Sequence, residues 1–341
     1  MKLDLEFQKD LKKYNTFSIS ARAKSFAIFK SEKELILLLE EVEKSKEALL
    51  ILGGGSNLLF TQDYQGVVLK NEIKGIQVLS EDKDSVLVKC GAGEVWHEFV
   101  QYCVGKGFAG VENLALIPGT VGASPIQNIG AYGVEVKDTI ESVESIEIAT
   151  KNKKRFLANE CAFGYRDSIF KKTEKGKYII TQVAFRLKKQ AKVNTSYGAI
   201  QQVLDEKGIK SPTIRDVSTA VIEIRKSKLP NPAQLGNAGS FFKNPEIPSA
   251  QFEQLKTQYP DIVSYQGFKE GMIKVPAGWL IERSGWKGKT VGNVGVHRLQ
   301  ALVIVNYGGA SGQEVIDLSI EIRKTVKEMF GIDLEPEVNI I

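Results

Sequence analysis

Residues Pro118 through Gly133 are nearly all small and carry no charge, and apolar residues flank both sides. The run contains Pro118, Gly119, Gly122, Ala123, Ser124, Ile126, Gln127, Asn128, Gly130, Ala131, Tyr132 and Gly133. A backbone of this kind can lie flat against a planar heteroaromatic ring, its N–H and C=O groups reading the ring's heteroatoms. The competing reading is a glycine-rich loop of purely structural use.

A second glycine cluster, Gly53, Gly54 and Gly55 followed by Ser56 and Asn57, comes directly after Ala48 to Leu52, which reads as a buried strand. Consecutive glycines let backbone N–H groups converge on one point, a nest suited to a pyrophosphate, and Ser56 and Asn57 add side-chain donors. Neither this cluster nor Gly91-Ala92-Gly93 satisfies G-x-G-x-x-G, which disfavours a Rossmann nicotinamide site at either, and G-x-x-x-x-G-K-[ST] is absent, which disfavours a P-loop.

The order of elements argues for an α+β fold. Ser31 to Glu34 has the form of a capping box, with Leu35, Leu38, Leu39 and Val42 following at helical spacing. Gly66 to Leu69 reads as a strand, Gly75 to Leu79 and Ser85 to Lys89 as a hairpin, and Glu94 to Val104 as a helix stopped by Gly105 or Gly107. Ser142 to Ala149 and Tyr178 to Leu187 are β-rich, and Ser218 to Lys226 is helical. Leu229-Pro230-Asn231-Pro232 breaks the chain before a strand at Ala301 to Val305. Glu314 to Met329 then places Val315, Leu318, Ile322, Val326 and Met329 on one helical face, with Gly331 as stop. Strands and helices do not alternate strictly, so a doubly wound parallel sheet is disfavoured.

At 341 residues, two or three domains are expected. The net charge of +5 spreads over 46 basic and 41 acidic residues, which implies no nucleic-acid surface and suits an anionic small molecule. No apolar run approaches the ~20 residues that span a bilayer. The charged start, Met1 to Glu6, has no signal-peptide core. Cys90, Cys103 and Cys161 cannot all pair within one chain and are expected as reduced core thiols, so a cytoplasmic location follows. His97 and His297 lack metal-ligand spacing, and no metal site is expected.

Three further motifs could carry chemistry. Ser240 lies in Gly236-Asn237-Ala238-Gly239-Ser240-Phe241-Phe242-Lys243-Asn244-Pro245, where a hydroxyl on a glycine-freed turn can stand clear of its backbone. Arg166, in Gly164-Tyr165-Arg166-Asp167, sits beside a strand region and offers a rigid fork of donors to a carboxylate or enolate. Glu337 follows Glu335-Pro336 among Val338, Ile340 and Ile341, which suggests a terminal strand docking back into the core.

Taken together and in this order, these motifs resemble the flavin-dependent UDP-N-acetylenolpyruvoylglucosamine reductases of bacterial cell-wall synthesis, usually called MurB. The likeness runs from Asn15-Thr16-Phe17 to the C-terminus. It implies a three-domain flavoprotein: a two-part FAD-binding module of the vanillyl-alcohol-oxidase-like type (residues 1–72 and 73–215), a substrate-binding α+β domain (216–330) and a C-terminal strand returning to the active site (331–341). It also implies non-covalent FAD, NADPH as reductant and UDP-N-acetylglucosamine enolpyruvate as substrate; a monomer is expected.

Position by position, the resemblance makes Ser240 the proton donor and matches Arg166 and Glu337 to the family's other catalytic pair. Tyr197, in Thr195-Ser196-Tyr197-Gly198, matches the substrate-covering tyrosine loop of one subtype. Lys228, Asn244 and Lys274 match substrate-contacting positions, and Arg225 lies near the flavin-side arginine. Where some members continue with a further strand, Ile341 stands a few residues after Glu337. An oxidase on the same flavin fold is disfavoured because it needs a base where Ser240 would be a donor. A non-catalytic nucleotide-binding protein would be colourless when purified.

Overall fold

The computed structural model describes residues 5–190 and 192–341, so the start of the chain, Met1 to Asp4, lies outside the described residues. Two compact units are present among the described residues: one of residues 5–9, 23–54, 65–190 and 192–227, the other of residues 10–22, 55–64 and 228–341.

In the first unit, Ala48–Leu52 pairs in parallel with Tyr64–Asn71 within a four-stranded sheet that also contains Glu6–Asp10 and Arg22–Phe29. Helix α1 (Glu32–Ser45) buries Leu35, Leu38 and Leu39, the apolar stripe expected from its spacing. Its cap is half of the expected box: Ser31 Oγ accepts the Glu34 N–H at 3.2 Å, but the Glu34 carboxylate accepts the Lys30 N–H rather than that of Ser31. Ala48–Leu52 is less buried than expected, with only Leu52 fully enclosed.

A five-stranded antiparallel sheet follows, ordered Lys153–Leu157, Ile140–Glu147, Tyr178–Lys188, Ser85–Gly91 and Ile76–Glu81. Helix α2 (Trp96–Lys106) ends on Gly107 at φ 77°, one of the two stops expected. Trp96, Phe99 and Phe185 pack ring on ring with centroids 4.7–6.0 Å apart, and Trp96 Nε1–H donates to the Leu114 carbonyl, so the indole is buried with its polar atom satisfied. Helices α3 (Gly198–Glu206) and α4 (Ile214–Lys228) complete the unit, and Ile200, Leu204, Val217, Ala220 and Val221 join the same core. The three cysteines are buried free thiols; burial raises all three, Cys161 to about 12, so they are inert at neutral pH.

The second unit has an antiparallel sheet ordered Gly236–Ser240, Val303–Asn306, Val294–Val296 and Thr290–Val291. A small sheet of Glu246–Pro248, Met272–Lys274 and Tyr265–Gln266 lies beside α5 (Ser249–Gln258). Helices α6 (Ala277–Arg283) and α7 (Gly312–Phe330) pack together, with Trp279 against Phe330 at 5.7 Å. Val315, Leu318, Ile322 and Val326 are buried on α7 as expected, whereas Met329 is 39% exposed because the face rotates away in the last turn. No described helix is long and apolar enough to cross a membrane.

Candidate active site

Within the first unit the two glycine segments pack backbone to backbone. A Cβ on Gly54 would come within 2.8 Å of Gly119 Cα, and one on Gly53 within 2.7 Å of Thr120 Oγ1, so the approach needs residues without side chains. Lys70 Nζ donates to the Gly53 carbonyl at 2.6 Å, and burial lowers its pKa. Sequence reasoning missed Lys70. The available signal was a lysine directly after the apolar run Val67-Val68-Leu69. The Trp96 N–H donates to the Gly119 carbonyl, Val121 N–H to Glu94 and Gly122 N–H to Ala92, which ties the loop to the start of α2.

The rest of the run is held by polar side chains. Ser124 Oγ donates to the Val121 carbonyl, Ser168 Oγ to that of Ile126, and Asn128 Nδ2 to that of Gly164. Ala123 closes a short 3-10 turn, and Gln127 is half-buried between Ile126 and buried Asn128. Gly130–Ala131 pairs with Val134–Glu135 across Tyr132 and Gly133, a two-residue turn with both φ positive (52° and 77°).

Arg166 lies on a tight turn in which Gly164 and Asp167 exchange backbone hydrogen bonds, with φ +51°. The sequence placed it beside a strand; the turn aims it instead at the glycine run, where Nη2 donates to the Gly130 carbonyl at 2.6 Å. Asp167 pairs with Lys172.

Tyr132, Tyr197 and Arg225 are brought together. The Tyr197 ring meets Tyr132 edge to face at 5.1 Å, and the Tyr132 hydroxyl and Arg225 interact electrostatically. Burial raises Tyr132 and lowers Arg225 from their usual values. Asn113, also missed from sequence, donates to the carbonyls of Tyr132 and Asn194 and links the Tyr197 segment to the glycine run.

The second unit holds the other candidates. Gly55 has φ +63°, and a Cβ there would lie 1.9 Å from the Tyr14 carbonyl oxygen, so this position demands glycine. Half-buried Ser56 follows, and then Asn57, whose Nδ2 donates to the Glu337 carbonyl and whose own carbonyl accepts the Asn339 N–H. Asn339–Ile340 runs parallel to Leu58–Leu59. The C-terminal segment is therefore anchored, although of Val338, Ile340 and Ile341 only Val338 is buried and Ile340 is 49% exposed.

Ser240 does not sit on a free turn. It ends the strand Gly236–Ser240, opposite Val303, after a register break with Gly239 at φ +70°. That irregularity turns Ser240 outward while Phe241 and Phe242 stay buried. The Glu337 N–H donates to the Phe241 carbonyl at 2.8 Å, and Lys243 N–H to that of Glu335, so Glu337 runs antiparallel to the chain just after Ser240.

Asn244 Oδ1 accepts the Ala277 N–H at the start of α6, and Lys274 Nζ lies 4.9 Å from the Phe268 ring centroid. Lys228 is exposed at the end of α4. No group of three His, Cys, Asp or Glu among the described residues could hold a metal ion.

Residues 23–154 match the model of an FAD-binding domain, and residues 231–341 match that of the C-terminal domain of UDP-N-acetylenolpyruvoylglucosamine reductase. The side-chain-free approach of the two glycine segments fits a dinucleotide, and the chain is a flavin-dependent oxidoreductase.

More narrowly, it belongs to the UDP-N-acetylenolpyruvoylglucosamine reductase family. It is 50% identical over 340 residues to the reductase of Flavobacterium johnsoniae, which covers 99% of this chain and all of that protein. With the Amoebophilus asiaticus reductase it shares 51% over 339 residues, 99% of this chain and all of the other. The crystal structure of the Thermus caldophilus enzyme superposes with a TM-score of 0.66 at 24% identity, over 100% of this chain and 99% of that one, and shares its fold.

Proposed function

We propose that the protein reduces UDP-N-acetylglucosamine enolpyruvate to UDP-N-acetylmuramate with NADPH, in the synthesis of peptidoglycan precursors. The observation that carries this reading is the near full-length identity of about half to relatives that bear the reductase name. FAD held by these residues would supply the hydride chemistry that links NADPH to the enolpyruvyl double bond.

The chain's own residues do the remainder. Gly53 to Asn57 and Lys70 bind the pyrophosphate, and residues 118–133 with Arg225 orient the ring. Arg166 neutralises the enolate-like charge that grows on the substrate as the hydride arrives. Ser240 delivers the proton to the neighbouring carbon, and Glu337, whose backbone runs beside that segment, assists it. Tyr197 covers the nucleotide sugar, while Lys228, Asn244 and Lys274 bind its diphosphate and carboxylate.

In this reading residues 1–72 and 73–215 form the two parts of the FAD module, 216–330 bind substrate and 331–341 return the last strand. The enzyme acts as a cytoplasmic monomer. Its activity is tested by anaerobic mixing with NADPH and then with the enolpyruvyl sugar. Flavin absorbance should bleach and then return; a flavin that bleaches but is not reoxidised by this substrate overturns the assignment.

Two more outcomes are expected. Neither glycine segment contains a histidine or cysteine, so acid precipitation should release FAD into the supernatant, and flavin retained by the precipitate would contradict non-covalent binding. Backbone hydrogen exchange across residues 195–199 should slow when the nucleotide sugar is added, because Tyr197 is 43% exposed in the free chain. Unchanged exchange at saturation removes Tyr197 from the site.

A further inference from the structure

Leu116 stands directly before the glycine run and adopts φ +59°, a left-handed conformation that a leucine holds only when its surroundings fix it. Two side chains grip the same residue. His97 Nδ1 accepts the Leu116 N–H at 2.9 Å, and Arg225 Nε donates to the Leu116 carbonyl at 3.2 Å. His97 is on the first turn of α2 and Arg225 on α4, so the two helices clamp Leu116 from its N–H and C=O sides.

We propose that His97 is a positioning residue for the flavin, its neutral imidazole fixing Leu116 so that the residues after it are presented to the ring. This rests on the reading that residues 118–133 hold the flavin. Acceptance at Nδ1 requires the tautomer with its proton on Nε2. Protonation would set an N–H of the ring against the N–H of Leu116 and remove the bond.

The surroundings keep the ring neutral. Burial acts first, and Lys226 and Arg225 on α4 add positive charge; Glu98 on its own helix opposes them more weakly. The sign follows: a histidine held below its ordinary pKa of about 6.5 favours the ordered loop above that value and loses it as pH falls. Below about pH 6.5 the clamp on Leu116 therefore weakens.

The test is FAD affinity of the apoprotein, read by quenching of flavin fluorescence between pH 5 and 8, with folding followed by circular dichroism. The parent should bind FAD progressively more weakly as the pH drops. His97→Phe keeps a ring but no acceptor and should bind FAD about tenfold more weakly at pH 8, the cost of an unmade hydrogen bond to a half-buried N–H. His97→Asn restores an acceptor that does not titrate. It should recover much of the affinity at pH 8 and flatten the pH profile, which a merely structural role for His97 would leave unchanged.

Parent-like affinity in His97→Phe, or a parent-like pH profile in His97→Asn, overturns the proposal. Should His97→Phe not fold, the profile of His97→Asn decides alone. Gly54→Ala, which drives a methyl toward Gly119 Cα, separates the underlying reading. If it leaves FAD binding unchanged, the glycine segments do not hold the flavin and both readings fall. If it weakens FAD while the His97 variants match the parent, only the role of His97 falls.

Discussion

Ser240→Ala enzyme is expected to accept electrons from NADPH at close to the parent rate and then fail to pass them on. The substitution removes one outward hydroxyl at the end of a strand whose next two residues, Phe241 and Phe242, form the buried anchor. Folding should therefore be nearly unaffected, since exposed substitutions away from special features usually stay within ~0.5 kcal/mol. Alanine also tolerates the extended conformation there, because the unusual φ belongs to Gly239.

Flavin reoxidation by the enolpyruvyl sugar should slow by roughly 10²- to 10⁴-fold, the usual contribution of a positioned general acid. Serine is a weak acid in water, so the proton moves only to a carbon made strongly basic by hydride addition. That chemistry predicts a selective defect: the NADPH half-reaction involves no such carbon and should be spared. Stopped-flow absorbance of each half-reaction measures the split. Parent-rate reoxidation by substrate would make Ser240 a strand residue with no part in proton transfer.

Legibility of the fold depended on how local its causes were. Helix α7 is legible from its periodic apolar stripe and from Gly331, which stops it at φ 66°, while its start lies two residues before the expected Glu314, where Ser311 caps it. Strand Ala48–Leu52 was bounded by its apolar run and the glycines after it. Its burial was misjudged, because exposure is set by which elements cover the two faces of a sheet and not by the strand itself.

The candidate site was legible where backbone chemistry demanded particular residues. Gly53, Gly54 and Gly122 sit where a Cβ would collide, so composition betrayed them. Lys70 and Asn113 were not legible. Their roles come from carbonyls at Gly53, Tyr132 and Asn194, and no local pattern announces a long-range acceptor. The exposure expected of Ser240 has a different cause: the glycines build a strand irregularity rather than a turn, yet both devices turn a hydroxyl outward.

Arg166→Lys should be nearly as damaging to the second half-reaction, on separate physical grounds. The guanidinium is a planar fork with five donors, and the structure commits one Nη2–H to the Gly130 carbonyl at 2.6 Å. That bond orients the fork against the glycine run, so its other donors are aimed by geometry and not by charge alone. Lysine carries the same charge on a flexible stem, and a single ammonium that keeps Gly130 cannot reproduce the fork's second direction. Both residues have side chains, so the left-handed backbone at φ +51° is no more costly for lysine, and the defect should not come from misfolding. Losing one preorganised donor to a growing negative charge typically costs about 10²- to 10³-fold. The loss should appear in the rate of substrate reduction at saturation more than in apparent substrate affinity, because the interaction strengthens as the enolate-like charge grows. A variant whose defect lies only in substrate affinity, with the saturated rate intact, would place Arg166 among the ground-state contacts and leave the developing charge to another donor.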